Sequence, residues 1–472
     1  MSILVLDAGS SALKAVLFDE QGRITAQAEA GYAPEASGSR PDPEAWWEAA
    51  CAAVAALGPA GPAAIALTGT MENLIPVAAD GTPAGRAILY SDACGGPYLE
   101  AIDAQLEAVG AGRIAGNAPE PLMTAFKAAW LRENEPDVDA AARFLLPGAK
   151  DFLALRMTGQ AATDPACAAT TGLMDLQARE WSETLLTLLG IPRHRLPMIR
   201  PAATVLGPLR PDAAAALGLP AGTPVVNGCG DGGATTLGGG AEAADDVSLY
   251  LGTSGWVARV VPTAGAEAPR PYYRLPHPLH EGLIEISPIL SGGAAASWAR
   301  HALGLEIAAA EAGAAEADKA PKSIVFLPYL SGERSPFLDL SVRGSFLGLD
   351  AGDGAGDLYY AVLEGVALAI AANLDAMGGA AGRVSLAGGG ALSATWPAIL
   401  ADALDRAILV PQDPVSATAA GAFRIARHAL GLPAAAASGG RTVLPRPERR
   451  ERMARQRARF AEATEFARRF GS

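Results

Sequence analysis

Histidine is scarce in this chain: 472 residues hold five, and only His277 and His280, in the proline-broken stretch "LPHPLH", stand close together. A metal pair there stays open, but a surface loop is the preferred reading. Cysteine is as rare. Cys51, Cys94, Cys167 and Cys229 lie far apart with no C-x-x-C spacing, which speaks against a disulfide framework and for reduced thiols in a cytoplasmic protein. Positive charge is in deficit. With 37 Lys and Arg against 50 Asp and Glu the net charge is −13, so neither nucleic acid nor an anionic membrane is expected as the main partner. No G-x-x-x-x-G-K-[ST] occurs, which excludes a Walker-type phosphate loop. The stretch 49–67, uncharged throughout, is mostly Ala and is broken by "GPAGP". It reads as helix, turn and strand, not as a membrane span. The start, "MSILVLDAG", has no basic n-region and runs straight into a strand, so no signal peptide is expected.

What is present is a chain too long for one ordinary core, half hydrophobic and rich in Ala, so two well-packed α/β domains are expected. The opening reads as three strands joined by turns: "ILVLD", "ALKAVLF", "ITAQAEA". A strand at 64–67, a largely helical region and a strand at 224–227 follow. Then the opening pattern returns: "LYLGTSGW" echoes "LVLDAGSS" about half a chain later, as two copies of one fold would. The charged, glycine-rich "GGGAEAADD" places the break at 242/243, giving domains 1–242 and 243–472. Beyond it, "IVFLPYL" reads as a strand, 358–377 as a long apolar-faced helix and "RVSLAGGGALS" as a strand entering a glycine turn. The basic tail reads as a solvated helix with Met453, Phe460 and Phe466 facing inward.

Three glycine-rich turns could carry chemistry. In "LDAGSSALK" a carboxylate, Asp7, ends a strand and could hold Mg²⁺. The backbone N–H groups and hydroxyls of Gly9, Ser10 and Ser11 could meet phosphate, and Lys14 could neutralise it. Gly252, Thr253 and Ser254 repeat the turn, so two phosphate-sized turns could close on one nucleotide. Gly388, Gly389 and Gly390 would let a ring or ribose approach the backbone. In "NGCGDGGATT", Gly228, Gly230 and Gly233 satisfy G-x-G-x-x-G, yet no strand bearing an acid about 20 residues on completes a dinucleotide fold. The alternative gives the role to Asp231, at the start of a helix whose positive end keeps it ionised: a base for an alcohol attacking a γ-phosphate. A plain helix cap remains open for it on local grounds.

These blocks, with "KAAWLRENEP", "KDFLALRMTGQAATD", "FLPYLSGERSPFLDLSVRGSFLGL" and "LEGVALAIAANLDAM", resemble the FGGY carbohydrate kinases, nearest the xylulose kinase branch, along nearly the whole chain. The resemblance implies two actin-like ATPase (ribonuclease H-like) domains with an interdomain cleft, and ATP- and Mg²⁺-dependent phosphorylation of a sugar or polyol hydroxyl. It implies Asp231 as catalytic base and Asp7 as the metal-linked acid, with a water between Asp7 and the ion allowed. Gly9, Ser10, Ser11 and Lys14 would meet the transferred phosphate, and Gly252, Thr253 and Ser254 would form the second turn. Gly293, Gly389, Gly390 and the nearby Ala394 would line the nucleotide. Met71, Glu72 and Asp92 would touch the substrate, and a homodimer is compatible.

Three departures bear on the substrate: Glu72-Asn73 where xylulose kinases read His-Gly, Cys94 where an Arg follows Asp92 by two, and "SATAAGAF" without its usual acid. A carboxylate at Glu72 would repel a sugar acid unless a cation offset it, so a neutral ketose or polyol, D-xylulose first, is expected over gluconate; L-ribulose, erythritol and glycerol are further alternatives. A non-catalytic sugar-binding protein and an NAD-dependent oxidoreductase are the rivals from other classes.

Overall fold

Strand β1 (Ile3–Ala8) is a continuous apolar run in which Ile3, Leu4, Val5 and Leu6 are fully buried, the pattern of a strand covered on both faces. In the computed structural model, which describes residues 1–32, 38–58, 61–263, 272–434 and 439–471, it is the hub of a six-stranded mixed sheet. Its neighbours are β2 (Ala12–Phe18), antiparallel, and β4 (Ala64–Gly69), parallel. Beyond β2 lies β3 (Ile24–Gly31), whose exposure alternates residue by residue. Beyond β4 lie β6 (Pro224–Gly230), parallel to it, and β5 (Val205–Pro208), so the order is β5-β6-β4-β1-β2-β3.

Helices α1 (Glu44–Leu57) and α2 (Ala149–Thr158) share one apolar core with this sheet. In α1 the buried positions 46, 47, 49, 50, 53 and 54 follow the helical repeat, and Trp46 meets Phe152 of α2 edge-on at 6.3 Å. Each large side chain buried there contributes about 1.5–3 kcal/mol. The helix, turn and strand expected over 49–67 are therefore present, with residues 59–60 of the turn outside the described residues.

The chain forms two compact units: Met1–Gly238 with Pro262–Ile284 and Thr418–Ser438, and Gly239–Val261 with Glu285–Ala417 and Gly439–Ser472. The main chain thus passes from the first unit to the second at 238/239, and two later segments return to the first. One of them carries most of α6 (Ala417–Ala429), whose Phe423 stacks on Phe18 at 4.7 Å. Gly421 of α6 is so close to Ala234 that a Cβ would stand 1.9 Å from its carbonyl oxygen, which accounts for the glycine of "SATAAGAF".

The second unit repeats the design. Strands β7 (Val247–Leu251), β8 (Gly255–Val261), β9 (Leu283–Ile289), β10 (Val384–Ala387), β11 (Ile408–Pro411) and β12 (Gly440–Val443) lie in the order β9-β8-β7-β10-β11-β12. As in the first unit, a hub strand has an antiparallel neighbour on one side (β8) and a parallel one on the other (β10), with a second parallel strand and an antiparallel edge beyond. The core helix α5 (Ala355–Ala376) has the length and apolarity to cross a membrane, yet 72% of its apolar window is buried inside the protein.

Three expectations are corrected. The strand expected over "IVFLPYL" is confined to Val325–Leu327, because Pro328 removes the next ladder donor. In the tail helix α7 (Arg450–Gly471) Met453 and Phe460 are buried, but Phe466 is 60% exposed. Seven residues bring a helix back to the same face, so Ala467 and not Phe466 follows Phe460 inward. The surface-loop reading holds for His280, which is exposed, but not for His277. It follows the buried end of the strand Tyr273–Pro276, is itself buried, and stacks on His280 at 3.6 Å between ring centres. The Nδ1 atoms of the two rings accept the Leu279 and Gly282 amides, so they brace the turn.

Candidate active site

The glycines of "NGCGDGG" are shaped by neighbouring chain rather than by open space. Strand β6 shifts register against β4 between Val226 and Cys229, and Gly228 takes φ +71° there. A Cβ on Gly228 would lie 1.6 Å from the Leu67 carbonyl oxygen, a contact only glycine permits. On Gly230 it would meet Met71 Sδ at 2.8 Å and Cys167 Sγ at 2.9 Å, and on Gly233 it would meet Cys229 Sγ at 2.5 Å. All three serve close packing, and none faces a cavity for a pyrophosphate.

What they present is Asp231, the first residue of α3 (Asp231–Gly239). Its Oδ1 accepts the adjacent Gly232 amide at 2.8 Å, not the amide two or three residues on that a capping side chain satisfies. Burial, then the charge of Asp7, push the Asp231 carboxyl up to about 7, while its backbone hydrogen bonds pull the other way. Desolvation and a like charge thus act against the helix terminus that the sequence offered as the means of keeping it ionised.

Asp7 stands one residue before the end of β1, directly across from Lys14 on β2, which is in turn across from Glu29 on β3. Lys14 Nζ is 3.9 Å from Glu29, so the cation is shared along this row. Burial raises the Asp7 carboxyl to about 6, against the pull of Lys14 and with a further push from Glu29. The turn that follows is fixed by its backbone. The Gly9 amide donates to the carbonyls of Asp7 (3.2 Å) and Ala12 (3.1 Å), and Tyr32 Oη donates to the Gly9 carbonyl at 2.9 Å, leaving Ser10 and Ser11 exposed.

Beneath the β6–α3 corner lies a buried charge network to which sequence reasoning gave no role. Lys150 Nζ reaches Asp151 Oδ1 at 2.6 Å, Asp164 Oδ2 at 3.1 Å and Asn227 Oδ1 at 3.3 Å. Asn227 Nδ2 donates to the carbonyls of Thr163 and Arg200, which ties the strand just before the glycine corner to two other segments. Among the described residues the one cluster of three metal-ligand types is Asp151, Asp164 and Cys167, and the Lys150 ammonium already supplies its positive charge.

Met71, Glu72 and Asp92 fall into one neighbourhood of the first unit. Glu72 is buried and holds φ +62°. The fully buried Lys127 donates to the Glu72 carbonyl at 2.6 Å; burial pushes its ammonium down to about 8, opposed by the charges of Glu72, Cys94 and Asp92. This is the cation beside Glu72 that the sequence left open. Asp92 accepts from Arg40 Nε (2.8 Å), Ser39 Oγ (3.0 Å) and the Cys94 amide (3.0 Å). Burial works to raise its pKa, and these bonds, Arg40 first, more than reverse it.

In the second unit Gly252, Thr253 and Gly293 meet at one point. The Gly293 and Ala294 amides donate to the Gly252 and Thr253 carbonyls at 2.8 Å, seating the start of α4 (Gly293–Ala302) on the turn. Gly388, at φ +90°, and Gly390 crowd Leu251 just before that turn, whereas Gly389 faces open space. Ala394 is exposed, its amide donating to Glu311 Oε2 at 3.2 Å.

Profiles of the FGGY family of carbohydrate kinases match residues 2–238 (N-terminal domain) and 283–430 (C-terminal domain). The chain belongs to the FGGY carbohydrate kinases. It is 34% identical to a xylulose kinase of Escherichia coli over 84% of both chains, and 25% identical to a gluconokinase of Bacillus licheniformis over 87% of this chain and 84% of the other. The crystal structure of a "xyloylose kinase" from Brucella ovis superposes with a TM-score of 0.87 at 31% identity, covering 98% of each chain. Membership makes this a sugar kinase of two α/β domains of actin-like ATPase class, and ATP its phosphoryl donor. Within this kinase the first unit gathers Asp7, Gly9, Lys14, Met71 and Asp231, and the second gathers Gly252, Thr253, Gly293 and Gly390. Sequence reasoning missed Lys150, Lys127 and Arg40. The first two lie inside quoted blocks, so an unusual Lys within apolar helix was the available signal. Arg40 gave none, being 52 residues from its partner Asp92.

Proposed function

We propose that this FGGY kinase transfers the γ-phosphate of ATP to a terminal hydroxyl of a neutral ketose, D-xylulose, giving xylulose 5-phosphate in the cytoplasm. The observation that carries this reading is Asp231, a carboxyl brought to about 7 at a corner that glycines and a buried ion network hold rigid. A base near the operating pH suits proton removal from an alcohol at least driving-force cost. The sugar O–H proton passes to the Asp231 carboxylate as the sugar oxygen forms its bond to the γ-phosphorus; the bond from that phosphorus to the β,γ-bridging oxygen breaks, and ADP departs with the electron pair.

We assign Gly9, Ser10, Ser11 and Lys14 of domain 1–242 to the transferred phosphate. Gly252, Thr253, Ser254, Gly293, Gly389, Gly390 and Ala394 of domain 243–472 are assigned to the nucleotide. Asp7 suits Mg²⁺: it offers hard oxygen donors, and burial beside Asp231 leaves both carboxylates short of counter-charge. When bound, the ion would neutralise phosphate charge. Met71, Glu72 and Asp92 are assigned to the sugar. There Lys127 offsets Glu72 and Arg40 offsets Asp92, which cancels the repulsion of a sugar acid without adding a net attraction for one; the greater identity to a xylulose kinase (34%) than to a gluconokinase (25%) is what favours the ketose over gluconate. ADP release measured over pentuloses, hexuloses, polyols and aldonates tests this: turnover should be greatest with D-xylulose, and a preference for an aldonate would reject the substrate while keeping the class.

A further inference from the structure

Asp92 is assigned above to the sugar, yet its oxygens are already engaged. Oδ2 takes Arg40 Nε and Ser39 Oγ, and Oδ1 takes the Cys94 amide. The group left able to reach outward is its partner. Arg40 lies with its guanidinium carbon 3.9 Å from the centre of the Trp130 ring and its side chain 33% exposed. Neither Nη donates a hydrogen bond to any described residue. The backbone around it is fixed as well: the Ser39 and Pro41 carbonyls accept the Leu89 (2.8 Å) and Ala87 (2.9 Å) amides, and the Arg40 carbonyl accepts Arg86 Nη1 at 3.1 Å.

A guanidinium held at Nε by a carboxylate and on one face by an indole loses little freedom on binding, and its two Nη groups are left without a described partner. The position is continuous with the base. Gly230, before Asp231, abuts Met71; the next residue, Glu72, accepts from Lys127; and Lys127 feels the charges of Asp92 and Cys94. Arg40 brings its guanidinium to Asp92 from 52 residues away in the chain.

We propose that Arg40 is a specificity-determining residue, its two Nη groups donating hydrogen bonds to hydroxyl oxygens at the end of the sugar away from the accepting hydroxyl, with Asp92 and Trp130 as its positioning residues. This rests on the ketose-kinase reading. Because Asp92 balances its charge, the fork reads hydroxyl geometry and adds no net attraction for a carboxylate.

The test uses the full chain with ATP and D-xylulose, or whichever sugar of the panel proves best. Arg40→Met should raise KM for the sugar about tenfold or more, with kcat within about twofold and KM for ATP unmoved, as expected for uniform binding lost through a charged donor. Asp92→Asn should reproduce the rise, and the double variant should be no worse than either single one, since both remove the same aimed guanidinium. Arg40→Lys should recover only part, lacking the planar fork. A sugar KM unchanged in Arg40→Met, with or without a lowered melting temperature, overturns the proposal and leaves the kinase reading intact. A strictly additive double variant overturns it as well. A wild-type chain that consumes ATP with no sugar overturns the kinase reading and this proposal together.

Discussion

Two hairpins, one in each unit, share a backbone plan and differ in chemistry. In the first, β1 and β2 pair up to Ala8 and Leu13; in the second, β7 and β8 pair up to Leu251 and Gly255. Each hub strand also pairs with a parallel strand, β4 or β10. One residue before each turn the first hairpin sets Asp7 against Lys14, where the second sets Tyr250 against Trp256, their rings stacked at 4.1 Å. A Cβ on Gly252 would lie 2.7 Å from the Tyr250 ring, so the aromatic pair bolsters the second turn from beneath. The same turn has become an ionisable site in one copy and an apolar support in the other. Chemistry should therefore reside in the first hairpin and its neighbour Asp231, and binding alone in the second.

The largest break in that contrast is Asp231→Asn, which keeps the shape of the side chain and removes the base. It should lower kcat by about 10²–10⁴-fold with ATP affinity intact, as single-turnover and nucleotide-binding measurements would show. Retained turnover would take Asp231 out of the role. Asp7→Asn should cost about 10²-fold in kcat, and it should also move the acid limb of kcat/KM to lower pH, because the like charge that raises Asp231 is gone. In the parent chain that limb should lie near Asp231's value of about 7, activity falling about tenfold per unit below it; a profile flat down to pH 5 would contradict this. Tyr250→Ala should raise KM for ATP by about tenfold or less and leave kcat within about twofold, since the loss is of support, an aromatic pair being worth about 0.5–1.5 kcal/mol beyond its area. A kcat loss as deep as that of Asp7→Asn would erase the contrast.

The smallest effect concerns stability. A carboxyl raised in the folded state from 3.8 to about 7 stabilises fully below 3.8, and that contribution is lost as pH rises through 7. Asp231→Asn should therefore unfold at higher denaturant than the parent at pH 8, by about 1–3 kcal/mol, with the gap closing toward pH 4. An equal gap at both pH values would mean that burial of Asp231 is not what strains the site.

Much of this was legible beforehand because the signals are local. An apolar run ending in "DAGSS", then a second in "YLGTSGW", encodes strand, tight turn and duplication within ten residues each, and the glycines of "NGCGDGG" mark a corner. What those glycines touch was not legible: Leu67, Met71 and Cys167 are 60 or more residues upstream of the glycine each one meets. What sets the ionisation of Asp231 was only partly legible for the same reason. A helix terminus is visible in sequence, whereas the desolvation and the Asp7 carboxylate that overrule it belong to the fold.

By itself the sequence determined the periodicities, the duplicated strand–turn–strand and the choice of Asp231 and Asp7 as acids at strand ends, because hydrophobic repeat and turn chemistry act over a few residues. Only the tertiary structure decided that α6 closes onto the first unit, that Lys127 sits under Glu72 and that Arg40 holds Asp92. Those outcomes depend on burial and charge between segments far apart in the chain, and no short window of sequence contains both partners.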